Sequence, residues 1–321
     1  MSSLRNIIDV HSHPILPIGK KLPVGSPDKM PQWSVERALS FMQEHGIAAC
    51  ILSIPDAANY ATGNDGRDIS RRINETLADI VSRYPSRFGA LATIPGLDAE
   101  AALAEIEYAL DTLKMDGVAT STSINDVYLG DRLFDPWFAE LDRRGATLFA
   151  HPTFTKASRP VLNGLNPSVL EFVFDTTRMV TNLVVTGTKK RFSDIKIIAT
   201  HGGGTIPFLA SRIQILEHTF GVGPGLLELS PQDVKDGLAS FYYDLTGATS
   251  EAQLLAILKL VPVSQLLIGL DFPLMPRSSF APALDDIAGY PQFDADDLQS
   301  LCFGNAGRLY PALRARVERQ R

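Results

Sequence analysis

The feature that most constrains this chain is an alternation: short β-rich apolar runs recur along it, and longer stretches with helical spacing lie between them. The runs are Asn6 to Val10, Ala48 to Ser53, Phe88 to Ala92, Gly117 to Ala119, Thr147 to Ala150, Lys196 to Ala199, Phe241 to Asp244 and Leu266 to Ile268. Eight strands, each followed by a helix, predict an α/β fold of the (β/α)8 TIM-barrel type. A doubly wound open sheet would alternate in a similar way, but no strand here is followed by the Gly-x-Gly-x-x-Gly signature of dinucleotide-binding members.

Helix ends are readable between the strands. Ser34 is expected to cap a helix that stops at Gly46, and Asp135-Pro136 reads as an N-cap followed by proline at the first helical position, in a helix ending near Gly145. Asn166-Pro167 opens another helix in the same manner. The segment from Pro14 to Gln32 reads as a long loop after the first strand, and Phe293 to Arg321 as helices covering the barrel. With no internal repeat, low-complexity tract or polar linker, residues 1–321 are expected to form a single domain.

Composition narrows the classes of function. A content of 45% hydrophobic and 21% charged residues suits a globular enzyme with a real core. The net charge of −6 argues against nucleic acid or anionic membrane as a partner, because either would need a basic surface. The opening MSSLRNIIDVHSH lacks the apolar core of a signal peptide and no stretch reaches membrane-spanning length, so a cytoplasmic location is expected. Cys50 and Cys302 both sit in apolar settings and read as buried free thiols.

Chemistry enters with the histidines, of which there are only six. Two stand in NIIDVHSHPILP, where the alternation of a strand points His11 and His13 the same way. His151 follows the fifth strand in TLFAHPTF, and His201 follows the sixth in IIATHGGGTIPF. In a (β/α)8 barrel these strand ends line the catalytic mouth. The eighth strand runs into LLIGLDFPLMP, which sets Asp271 on the same rim. His11, His13, His151 and Asp271 therefore read as ligands of one divalent cation, Zn2+ or Mn2+, with a position left open for substrate. His201 is left for proton transfer. His45, just before Gly46 at a helix end where a cation would suit the dipole, and His218 in RIQILEHTF read as structural. The three glycines of HGGGTIPF are not followed by the Lys-Ser/Thr of a phosphate loop, and are expected to make a tight turn bringing backbone close to a ligand.

These stretches, together with RFGALATIPG, THGGGTIPFLASRI and FYYDLTG, resemble the decarboxylase branch of the amidohydrolase superfamily, typified by aminocarboxymuconate-semialdehyde decarboxylase and the salicylate-type decarboxylases. DGVATSTSINDVYLGD and FDTTRMVTNLVVTGTKKRF are similar to 6-methylsalicylate decarboxylases in particular. The resemblance implies the same four metal ligands, His201 as the acid/base residue, a homodimer, and Arg212 in LASRI delivered into the partner subunit's site. Two departures stand out. The carboxylate-binding arginine of the aminocarboxymuconate enzyme has no clear counterpart between Pro14 and Gln32, and Leu270 replaces the serine or threonine that often precedes the aspartate.

The expected function is non-oxidative decarboxylation of a small aromatic carboxylic acid, an ortho-hydroxybenzoate such as 6-methylsalicylate, by a carboxy-lyase. Loss of carbon dioxide straight from an aromatic ring leaves a carbanion with nowhere to place its charge, so the ring carbon is better protonated first. Asp271, or a water held between the metal and His201, is placed to deliver that proton. A mononuclear hydrolase of a lactone is the alternative; a binuclear one would want a lysine after the fourth strand, where this chain reads GVATSTS. A catalytically inactive ligand-binding barrel is the third possibility, although none of the five rim positions is lost.

Overall fold

The computed structural model describes residues 4–16, 31–55, 63–155, 165–216 and 229–320. Strands β1 (Ile7–Ser12), β2 (Ile47–Leu52), β3 (Phe88–Thr93), β4 (Gly117–Ser121), β5 (Thr147–His151), β6 (Lys196–Ala199), β7 (Tyr242–Asp244) and β8 (Leu266–Leu267) form one eight-stranded sheet in chain order. Every pairing between successive strands is parallel. The segment following β8 returns to β1: Val10 N donates to Ile268 O (3.0 Å), Asp271 N to His11 O (2.7 Å) and His13 N to Phe272 O (2.8 Å). These bonds close the sheet, so the expected (β/α)8 barrel is the observed fold.

The helices named below are α1 (Val35–His45), α2 (Gly63–Arg83), α3 (Ala99–Glu107), α4 (Asp135–Arg143), α5 (Pro167–Val185) and α6 (Ile206–Leu216). Ser34 caps α1 by accepting Arg37 N (3.3 Å), and Gly46 ends it at φ 70°, a conformation that favours glycine. Asn166 caps α5 through Ser168 N (3.1 Å). Asp135 does not cap α4. A 3-10 turn, Arg132–Phe134, runs straight into that helix, and the capping carboxylate is Asp131, which accepts Leu133 N (2.9 Å). Asp135 is the first helical residue and pairs with Arg191 (2.8 Å) instead.

Two apolar layers follow from the pleat. Ile8, Val10, Ala49, Ile51, Leu91, Ala119, Phe149, Ile198 and Leu267 fill the barrel interior, whereas their neighbours Ile7, Leu52, Ala90, Val118, Leu148 and Ile197 face the helices. Each large side chain buried in this way stabilises the fold by roughly 1.5–3 kcal/mol relative to exposure. The interior cluster also includes Ala306, Leu309 and Leu313 from the last helices, Asn305–Leu309 and Pro311–Glu318, and Tyr310 between them. Arg316 reaches Pro85 O (2.7 Å) just before β3, so these helices plug the N-terminal end of the barrel and leave the opposite end for chemistry. Both cysteines are free and buried, and burial pushes the Cys302 thiol up to about 11, which suits a structural role for both. No helix among the described residues is long and apolar enough to cross a membrane.

Candidate metal centre

Strict alternation along β1 would turn Ser12, not the histidines, into the barrel after Ile8 and Val10. The pairing with β2 prevents this: Asp9 faces Cys50, yet Ser12 faces Leu52, so three steps on one strand match two on the other. This bulge shifts the phase by one residue and aims His11 inward, where its ring meets Phe149 at 4.9 Å. His13 follows on the same side, 4.8 Å from His11 between ring centroids. The His11 N–H at the bulge is taken by Asp9 Oδ1 (3.0 Å), which also accepts Leu270 N (3.1 Å) beside Asp271.

His11, His13, His151 and Asp271 converge, each offering one ligand atom, with all four atoms within 4.8 Å of one another. Asp271 Oδ1 lies 3.6 Å from His11 Nε2 and 3.4 Å from His13 Nε2. Zinc–nitrogen bonds of about 2.1 Å at tetrahedral angles require ligand atoms roughly 3.4 Å apart, so the donors fit a cation of that size. The Nε2 atoms of His11, His13 and His151 are buried without a hydrogen-bond partner among the described residues. Three orphaned lone pairs would be costly in a core, and a cation at this point would satisfy them.

The opposite ring nitrogens explain the orientation. His11 Nδ1 meets Asp244 Oδ2 (2.9 Å), His13 Nδ1 meets Ser53 O (3.0 Å) and His151 Nδ1 meets Pro152 O (2.8 Å). Each partner is an acceptor, so the proton sits on Nδ1 and the Nε2 lone pair points into the centre. Burial holds all three imidazoles neutral: it brings His13 down to about 4 and puts His11 and His151 well below the usual histidine value. Behind His151, Asp175 of α5 accepts Thr153 N (2.8 Å) and the hydroxyls of Thr122 and Tyr128, which fixes the segment leading away from the mouth.

His201 stands beside this group without belonging to it, 5.2 Å from His11 and 5.5 Å from His151 between ring centroids. It opens a turn in which His201, Gly202, Gly203 and Gly204 all have φ between 55° and 72°. The glycines serve the turn, and they also let it pack closely against its neighbours. A Cβ at Gly203 would lie 2.3 Å from Tyr243, and one at Gly204 2.1 Å from Val173 O, so the close approach is to β7 and α5. Arg212 is not in the cluster; it is exposed on α6, along the face that carries Phe208 and Ile215. His45 is packed at the end of α1 between Phe41 (4.8 Å) and Phe280 (5.7 Å). Its burial lowers its affinity for a proton, so it is a packing group rather than the dipole-stabilised cation expected of a helix end. His218 lies outside the described residues.

Sequence reasoning passed over Asp9 and Asp244. The signal was present: each is a carboxylate inside an apolar strand run, NIIDV and FYYDL, and both side chains are fully buried. A charge there must be met by several donors.

The sequence profile described as Amidohydrolase matches residues 8–312, and the chain belongs to that family. Among curated relatives it is 32% identical to decarboxylase yanB of Aspergillus niger, over 95% of this chain and 87% of that protein. It is 28% identical to the 6-methylsalicylic acid decarboxylase of Penicillium expansum, over 97% of this chain and 98% of that protein. A dihydroxybenzoic acid decarboxylase from a Polaromonas species, crystallised with manganese and 2-nitroresorcinol, superposes with a TM-score of 0.83 at 20% identity, covering 96% of this chain and 97% of that one. That last likeness speaks to the fold.

Proposed function

We propose that this chain is a metal-dependent, non-oxidative decarboxylase of a small aromatic acid, with an ortho-hydroxybenzoate such as 6-methylsalicylate as its substrate class. The observation that carries the reading is the trio of buried Nε2 lone pairs facing one carboxylate at the barrel mouth. His11, His13, His151 and Asp271 hold one divalent ion, Zn2+ or Mn2+. When bound, that ion supplies Lewis-acid and template chemistry for a carboxylate and its neighbouring ring oxygen. Buried free thiols, the acidic balance and the want of a membrane-crossing helix among the described residues support a cytoplasmic location.

The chain's own groups then do the proton work. His201, or Asp271, delivers a proton to the ring carbon that bears the carboxylate, and the electrons of the carbon–carboxylate bond return to the ring as carbon dioxide leaves. Phe172 meets His151 edge-on at 5.9 Å and gives the mouth an apolar wall suited to an aromatic ring.

Turnover of a hydroxybenzoate panel, together with simple aryl lactones, in deuterium oxide enriched in oxygen-18 tests the reaction. The product is expected to carry one deuterium where the carboxylate stood, with carbon dioxide released. Solvent oxygen in a ring-opened acid without carbon dioxide would replace this reading with the lactonase. No turnover of any panel member by metal-loaded protein would favour the inactive barrel.

A homodimer with Arg212 acting across it belongs to the same reading. Support comes from the apolar side chains left in the open on adjacent α5 and α6: Val169 is 66% exposed, Phe208 86% and Ile215 64%. Arg212 shares a helix face with the last two, about one turn from each. Mixing an inactive Arg212→Ala chain with an inactive Asp271→Ala chain is therefore expected to restore activity, because one hybrid site per dimer is intact. Hybrid dimers that form yet stay inactive would return Arg212 to its own subunit or to no role.

A further inference from the structure

We propose that Asp244 is the positioning residue that sets both working histidines, fixing the tautomer of His11 and the backbone of His201 with its two oxygens. This rests on the reading of His11 as a metal ligand and His201 as the acid/base group. Asp244 closes β7, and its side chain is fully buried. Oδ2 faces His11 Nδ1 at 2.9 Å, while Oδ1 accepts the backbone N–H groups of His201 (3.0 Å) and Thr246 (3.0 Å). All three neighbours present a hydrogen to the carboxylate, and both oxygens can accept.

Among the three imidazoles of the centre, His11 has a carboxylate behind it, whereas His13 and His151 have backbone carbonyls. A carboxylate is the stronger acceptor, so His11 is the most firmly fixed and the most basic towards an ion. Space for the contact is left by Gly269 on the neighbouring segment. A Cβ there would fall 2.9 Å from His11 Cβ, 2.5 Å from Thr246 Oγ1 and 3.2 Å from Asp244 Cγ. The second oxygen holds the residue at which the chain enters its left-handed turn, since His201 itself has φ 55°. Without that acceptor the part-buried His201 N–H would lose its partner.

Asparagine exposes the role because it has the shape of aspartate but only one accepting oxygen. With that oxygen towards His11, its NH2 opposes two backbone N–H groups. In the reverse orientation the two backbone bonds survive, but the NH2 faces His11 Nδ1. That NH2 favours the tautomer in which the imidazole accepts at Nδ1 and carries its proton on Nε2, where the proton occupies the ligand position; Thr246 Oγ1, 3.1 Å from Nδ1, is the one other side-chain group facing that nitrogen among the described residues. Two backbone bonds against one favour the reverse orientation.

The test compares wild type with Asp244→Asn by Mn2+ titration, reading free Mn2+ by electron paramagnetic resonance. The variant is expected to bind Mn2+ about 10–100-fold more weakly; Asp244→Ala, which removes the acceptor of the His201 N–H as well, is expected to lower kcat at saturating Mn2+ in addition. Equal Mn2+ affinity in the two proteins would overturn the role of Asp244 and leave the metal centre standing; failure of wild type to bind Mn2+ at all would overturn both. Should Asp244→Asn not fold, 15N-histidine NMR of zinc-loaded wild type decides. A proton on His11 Nδ1 with Nε2 bound supports the assignment, and a proton on Nε2 refutes it.

Discussion

Asp271→Ala is expected to leave the purified protein nearly free of metal and to lower turnover by on the order of 10³-fold or more. Asp271 is the one ligand of the proposed set that brings charge; His11, His13 and His151 are held neutral by burial. Removing it leaves a divalent ion on three uncharged donors in a buried cavity, with no anion to offset the cost of leaving water. A bound ion acting on an oxygen is worth several kcal/mol of barrier, and each 1.36 kcal/mol is tenfold in rate, which sets the size of the loss. Asp271→Asn, which keeps the volume and loses the charge, is expected to fall on the same side. Metal content by mass spectrometry and turnover of the same sample provide the check, with His45→Ala as the comparison. That residue packs against Phe41 and Phe280, so its loss costs stability and leaves the ion in place. An Asp271→Ala protein with full metal and full activity would remove this residue from the centre.

The barrel was legible because its signal is periodic and repeated. All eight expected strands occur, displaced by no more than two residues at either end. The convergence of His11, His13, His151 and Asp271 was legible for a related reason: polar groups placed directly after apolar strands can only gather at one rim. What escaped is what depends on a partner distant in the chain. The bulge that turns His11 inward exists only in the pairing of β1 with β2, and no single run of residues encodes it. Asp244 touches His11 from 233 residues away, so neither NIIDV nor FYYDL by itself tells which donor meets the acid. Asp135 was misread as a cap because the 3-10 turn before it continues the helical path, a decision made by Asp131 four residues earlier. The glycine turn was read correctly as a turn, but its neighbours, Tyr243 and Val173, come from other elements.

His201→Ala is expected to keep the metal and still lose turnover, by about 10²–10⁴-fold. The separation of the two effects follows from position. His201 is outside the group of four ligand atoms, yet its ring is a neighbour of both His11 and His151. Its Nδ1 is buried with no hydrogen-bond partner among the described residues, so the ring is not spent on holding the fold together. Burial lowers its hold on a proton while the nearby Asp244 carboxylate raises it. In the proposed role, a substrate carboxylate at the mouth would add negative charge beside the ring and favour the imidazolium. Alanine removes the carrier without touching a ligand, whereas glutamine restores size and polarity but cannot cycle a proton near neutral pH. His201→Gln is therefore expected to be as slow as His201→Ala, with metal stoichiometry unchanged in both. Wild-type rates in His201→Ala would leave Asp271 as the proton donor and return His201 to the role of a turn residue.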